Sequence, residues 1–169
     1  MIAAVILAAG AATRFGSPKQ ALLLPRVLER VRASGVDEVV VVEGAHPLHQ
    51  IGARVVHCAE WERGPGASLR CGLVALEHDV EAAVVCLADG PELAPAAIDR
   101  LIAAWRAGAG EIVAASYDTL RGHPVLLGRA AWARIPDEGA RTLEAALVPC
   151  DDLGAPGDVD TPADLDRFG

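Results

Sequence analysis

Six apolar residues in succession, 2–7, follow Met1, and comparable short runs return at residues 38–42 and at Ala82–Leu87. Runs of this length without polar alternation read as strands covered on both faces, the pattern of a parallel sheet. Between them lie Ala-, Leu- and Arg-rich stretches with helical spacing. These predict helices over residues 27–34, with Gly35 as C-terminal cap, over residues 67–77, and over Pro95–Arg106, where Pro falls in the first turn. Shorter β-rich segments at Arg54–His57, 111–115 and 124–127 read as further strands, the last two near a sheet edge. Two short helices are expected around residues 129–135 and 141–147. At the end, Asp158-Val159-Asp160 reads as strand-like, and Thr161 as the cap of a last helix over 162–168.

Alternation of strand and helix at this spacing implies βαβ units and an open, mostly parallel α/β sheet. No repeat, low-complexity segment or linker divides the chain, so residues 1–169 are expected to form a single domain.

Composition narrows the function classes. Hydrophobic residues make up 52% of the chain and aromatics only 4%, so Ala, Val and Leu must fill the core. A formal net charge of −8 argues against a nucleic-acid partner or an anionic membrane surface, both of which need clustered Lys and Arg. A small anionic ligand is still accommodated by a few local cations and backbone amides. The opening apolar run lacks a basic flank and ends at Gly10, so it reads as a strand and not as a signal peptide. Nothing is long enough to span a membrane. Cys58, Cys71, Cys86 and Cys150 form no CxxC pair and are expected to be buried free thiols in a reducing cytoplasm.

The segment richest in chemistry runs from Leu7 through Ala8, Ala9, Gly10, Thr13, Arg14 and Gly16 to Lys19. It follows the first strand directly, where ligands of open α/β sheets bind. Gly10 lets a nucleotide approach the backbone, Arg14 offers a planar fork and Lys19 a point charge for a polyphosphate. The spacing is neither GxGxxG nor GxxxxGK[ST], which disfavours a dehydrogenase and a P-loop kinase. From these residues alone, a surface loop with two solvated cations explains the pattern equally well.

This loop resembles the LAAGxSxRxGxxK signature of the MobA-like NTP transferases, with Thr13 in place of the usual Ser. Later segments are similar to that family's motifs in the same order. Trp61, Gly64, Ser68 and Gly72 match WxxGxxxSxxxG, and Leu87-Ala88-Asp89-Gly90-Pro91 matches LADxP. Gly122-His123-Pro124-Val125, Asp137-Glu138-Gly139-Ala140-Arg141 and Asp158-Val159-Asp160-Thr161-Pro162 resemble the GHPV, DxGAR and DIDTP elements of the molybdenum cofactor cytidylyltransferase branch. The resemblance covers nearly the whole chain.

The resemblance implies a three-layer α/β/α, Rossmann-like nucleotide-diphospho-sugar transferase fold and Mg²⁺-dependent transfer of a nucleoside monophosphate to a phosphorylated acceptor. It implies nucleotide contacts from Leu7, Ala8, Ala9, Gly10, Arg14, Lys19, Ser68 and Gly72, and catalytic roles for Arg14, Lys19 and Asp89. Mg²⁺ would be held by Asp89 and Asp160, with Asp158 a weaker candidate, and the acceptor touched by His123. The branch favours CTP over GTP as donor, molybdopterin as acceptor and a molybdenum hydroxylase as recipient. Each residue also has a plainer reading: Ser68 decorating a helix, Asp89 capping a turn, His123 anchoring a loop, Asp158 and Asp160 flanking a helix N-terminus. A guanylyltransferase, a sugar-phosphate nucleotidyltransferase and a non-catalytic nucleotide- or cofactor-binding module are the rival functions. The chain departs from the family at Gly90, where a larger residue is usual. It departs again at Leu24-Pro25, which runs almost straight into Val27 and suggests a shortened helix; the stretches before Arg54 and after Leu147 also look abbreviated.

Overall fold

Every residue from Ile2 to Ile6 is 0% exposed, so the first strand, β1 (Ile2–Ala8), is covered on both faces, as its uninterrupted apolar run requires. The computed structural model describes residues 1–10, 19–49 and 51–157, with the backbone alone at 19–21. The described elements follow in the order β1, α1 (Lys19–Arg32), β2 (Glu38–Glu43), β3 (Arg54–His57), α2 (Pro65–Val74), β4 (Ala82–Leu87), α3 (Pro95–Arg106), β5 (Ile112–Tyr117), β6 (Leu120–Gly128) and β7 (Ala146–Pro149). Single 3₁₀ turns or short 3₁₀ segments stand at Trp61–Arg63, Arg129–Arg134, Ala140–Thr142 and Asp151–Leu153.

The seven strands form one sheet in the order β3-β2-β1-β4-β6-β5-β7, parallel except for β6, which runs antiparallel to both β4 and β5. One apolar layer packs α1 and α3 against the sheet through Leu24, Val27, Leu28, Val31, Ile98 and Leu101. The other packs α2 through Leu69 and Leu73 onto Val5, Val40, Val42 and Val85. This is the expected three-layer α/β/α arrangement. Gly72 lets α2 lie close: a Cβ there would come within 2.6 Å of a Val5 methyl and 2.8 Å of a Val42 methyl.

Four expectations need correction. Helix α1 begins at Lys19 and runs for 14 residues straight through Pro25, so it is not the short helix over 27–34. Leu23, Leu24, Val27, Leu28 and Val31 recur at helical spacing and are all buried. Burying that stripe stabilises by several kcal/mol, enough to offset the roughly 3 kcal/mol that an interior proline costs. Gly35 keeps a negative φ and so is no left-handed cap; its N–H instead donates to Asp99 Oδ1 at 2.7 Å. Residues 141–147 form no helix, because Ala146–Pro149 pairs in parallel with β5 as an edge strand. Cys58 and Cys71 are joined in a disulfide with Cα atoms 5.8 Å apart, which leaves Cys86 and Cys150 as the buried free thiols among the described residues. The strand and helix expected over 158–168 lie outside the described residues.

Pro124 would remove a ladder hydrogen bond from an interior strand, yet β6 contains it. The β4 ladder reaches only to Val125, and the β5 ladder shifts register between Ala114 and Ser116, so Pro124 falls where pairing lapses. The His123-Pro124 peptide is cis.

Candidate active site

The strand order reverses direction at β1: β2 continues the chain on one side and β4 lies on the other. A crevice therefore opens beyond the carboxyl ends of β1 and β4, the place where open α/β sheets bind ligands. Leu7 pairs with Leu87, and the Ala88 N–H donates to the Leu7 carbonyl at 3.1 Å. That registry sets Ala9 and Gly10 beside the turn that carries Asp89.

Leu7 and Ala8 close β1, Ala9 is buried against the α2 layer and Gly10 is exposed. Lys19 is the first residue of α1; its side chain, together with Arg14, Asp158 and Asp160, lies outside what is described. Asp89 is half-buried at the end of β4. Arg26 of α1 donates from Nε to the Pro91 carbonyl at 3.2 Å and ties that turn to the first helix. On the other side the chain returns over it: the Glu92 N–H donates to the Pro156 carbonyl at 2.7 Å, and a Cβ on Gly90 would meet Pro156 Cβ at 3.1 Å. Gly90, small where the family carries a larger residue, thus accommodates the returning segment.

The residues around Trp61 and Ser68 are closely packed. Gly64 has φ +134, and a Cβ on it would lie 2.3 Å from the Asp137 carbonyl oxygen. Gly44, at the end of β2, faces Trp61 and the Ala9 carbonyl with no room for a side chain. Ser68 is only 3% exposed. Gly72 is likewise packed against the sheet.

Asp137 closes this region as a clasp. Its carboxylate accepts from Arg70 and, at 3.3 Å, from Arg63. The Arg70 hydrogen bond, seconded by Arg63, holds the Asp137 carboxyl below its ordinary value. The Gly66 N–H donates to the Asp137 carbonyl at 2.9 Å and Arg70 Nη1 to the Ile135 carbonyl at 2.8 Å. Residues 135–139 are thereby fixed to the first two turns of α2.

His123 lies on β6 between two cavities. One, of about 380 Å³, lies towards Cys86, Leu93, Tyr117 and Pro156; the other, of about 520 Å³, lies towards Leu7, Leu69, Val85 and Arg141. Burial pushes the His123 imidazole below its ordinary value; the Asp89 carboxylate pulls it up and Arg121 pushes it further down. It therefore stands neutral at pH 7, electrostatically coupled to Asp89. The Tyr117 hydroxyl donates to the His123 carbonyl at 2.9 Å and holds the backbone there.

Asp89 is a hard oxygen donor of the kind that suits Mg²⁺ or Mn²⁺. Among the described residues no group of three His, Cys, Asp or Glu side chains is placed to hold a metal ion, and the second expected carboxylate, Asp160, is not among them. No described helix is long and apolar enough to cross a membrane. Sequence reasoning passed over Gly44, Gly66 and Arg121. The two glycines carry no signal except crowding that only the fold reveals, and Arg121 is a lone cation on a strand.

The model of the MobA-like NTP transferase domain matches residues 4–150. Crystal structures similar over 99% of the chain include three from mycobacteria. The homologue of Mycobacterium tuberculosis Rv0371c from Mycobacterium sp. strain JC1 has a TM-score of 0.81 and 26% identity over 94% of its own length. Rv0371c itself has a TM-score of 0.78 and 31% identity over 96% of its length. Rv0371c in complex with manganese has a TM-score of 0.77 and 29% identity over 97%. No curated protein matches the sequence.

Proposed function

The chain belongs to the MobA-like NTP transferase family, and on that premise we propose that it transfers CMP from CTP to a phosphorylated acceptor of the molybdopterin type in a Mg²⁺-dependent reaction. The observation that carries this reading is the crevice where the ends of β1 and β4 meet, with Asp89 on one lip and the Leu7–Gly10 segment on the other.

In this reading Leu7, Ala8, Ala9 and Gly10 present backbone to the nucleotide, while Arg14 and Lys19 hold the polyphosphate and steady the charge that grows during transfer. An acceptor phosphate oxygen attacks the α-phosphorus, the new P–O bond forms in line, and the bond to pyrophosphate breaks. A phosphate oxygen is already nucleophilic at neutral pH, so positioning and electrostatics suffice and no general base is needed. Asp89 and Asp160 would hold Mg²⁺, which neutralises phosphate charge. Support for that pair comes from the return of the chain to the Asp89 turn. Pro156 and Gly157 lie against Gly90, and Asp160 follows three residues later in the sequence. The manganese complex of Rv0371c supports a divalent cation. A neutral His123 next to the larger cavity suits contact with the acceptor.

Because NTPs and reduced cofactors are cytoplasmic, the reaction is assigned there, with a molybdenum hydroxylase as the consumer of the product. GHPV at 122–125 and DVDTP at 158–162 favour this branch over a guanylyltransferase or a sugar-phosphate nucleotidyltransferase. Replacement of Lys19 by Ala tests the catalytic assignment. Turnover should fall by about 10²-fold or more, as for loss of a charge-stabilising donor, with the melting temperature unchanged. An unaltered rate would sink it.

A further inference from the structure

We propose that the Cys58–Cys71 bond is a reversible redox latch on the α2 wall of the crevice: a protein dithiol opens it, and nucleotide affinity falls when it opens. The latch rests on the cytoplasmic assignment above, and its effect on nucleotide rests on the transferase reading.

The bond fastens α2 to the sheet beside the crevice. Cys58 follows β3 directly and is 0% exposed, and its N–H donates to the Glu43 carbonyl at 2.8 Å. Cys71 stands in α2 next to Gly72, where the helix packs on Val5 and Val42. The two cysteines, 13 residues apart in sequence, close a segment that reaches the crevice at two places. Trp61 and the Ala9 carbonyl both crowd Gly44, 2.6 and 2.9 Å from where its Cβ would lie. Pro65 and Leu69 line the 520 Å³ cavity. The far side of the segment has its own fastening, because Asp137 holds Arg63, Gly66 and Arg70. Opening the sulfur bond therefore releases one of two fastenings, while Leu69 and Leu73 keep α2 on the sheet.

The surroundings suit exchange with an external dithiol. Cys71 is partly exposed and Cys58 is not, so Cys71 is the sulfur that an incoming thiolate attacks. The S–S bond breaks, a new one forms to the reductant, and Cys58 leaves as a thiolate and takes up a proton. The reductant's second thiol then displaces Cys71 from the mixed disulfide. Two electrons pass to the protein, which ends with two thiols, and the reductant ends as a disulfide. Cys58 Sγ lies 3.6 Å from the Ala67 carbonyl oxygen, an acceptor for the S–H that reduction creates. Cys86 and Cys150 belong to the apolar layer on the opposite face of the sheet, so no thiol of the chain itself reshuffles the bond. In the cytoplasm, bonds of this kind are characteristically transient and redox-sensing.

Calorimetric titration of the full chain with CTP, before and after dithiothreitol, tests this together with amide hydrogen exchange over residues 61–74. Dithiothreitol should open the bond in the folded protein, as thiol titration will report. CTP should then bind at least about fivefold more weakly, exchange over 61–74 should quicken, and reoxidation should reverse both. Cys58→Ser combined with Cys71→Ser should match the reduced protein and ignore the reductant. A bond that opens only in denaturant would overturn the proposal, as would a protein that unfolds on reduction. Unchanged CTP affinity after reduction, in a protein that binds CTP, would overturn it as well. CTP binding by neither state would refute the transferase reading, and the latch would then stand or fall on the exchange over 61–74.

Discussion

Gly66 and Pro136 approach so closely that no side chain fits between them: a Cβ at position 66 would lie 1.6 Å from the Pro136 carbonyl oxygen. The Pro136 oxygen is backbone and a Cβ is fixed rigidly to its Cα, so neither can swing aside as the end of a flexible side chain would. The first turn of α2 and the loop leading to Arg141 are thus packed chain against chain, with the Gly66 N–H bonded to Asp137 in the same contact.

Gly66→Ala must therefore push the 136–139 loop away from α2. Overpacking of this kind costs about 1–3 kcal/mol, which a chemical denaturation midpoint will report. Because the displaced loop lines the cavity beside His123, the acceptor KM should rise more than the CTP KM. A variant as stable as wild type would show that the contact is looser than described.

Asp137→Asn tests the clasp through its pH dependence. A carboxyl whose folded pKa lies below its unfolded value adds stability above the unfolded pKa and loses it as pH falls through the folded one. Arg70 and Arg63 lower Asp137 in this way. The stability gap between wild type and Asp137→Asn should be full at pH 6–7 and should close below about pH 4, near the ordinary carboxylate value. A gap that persists unchanged at pH 3 would mean that the carboxylate charge is not what holds the loop.

Much of the fold was legible because burial and periodicity agree in it. Strand β1 and helix α3 stand where the apolar run and the Pro95 start place them. The exceptions share a cause: long-range contacts outweigh local signals. Pro25 reads as a break, but a buried stripe from Leu23 to Val31 carries the helix through it. Ala145 and Ala146 read as helix, but pairing with β5 makes Ala146–Pro149 a strand. At the candidate site, Asp89 stood out because a motif coincides with the end of β4, and His123 because of the GHPV motif alone. Arg121 did not, since nothing local marks a lone strand cation as the support of a loop 19 and 22 residues away.

Cysteine chemistry offers a separate check. With Cys58 and Cys71 joined, denatured protein without reductant should titrate two thiols, and reduced denatured protein four. Burial pushes the Cys86 thiol up to about 12, so it stays protonated and should resist alkylation in the native protein. Cys71→Ser should lower stability by about 2–4 kcal/mol. Four thiols in the unreduced protein would contradict the pairing.

Pyrophosphate release by the pure protein tests the central claim most directly, with Mg²⁺ and each NTP in turn, in the presence and absence of molybdopterin cofactor. Release with CTP alone, only with the cofactor, and abolished in Asp89→Asn is the predicted result. Nucleotide binding with no release in any mixture would contradict it and leave a non-catalytic binding module.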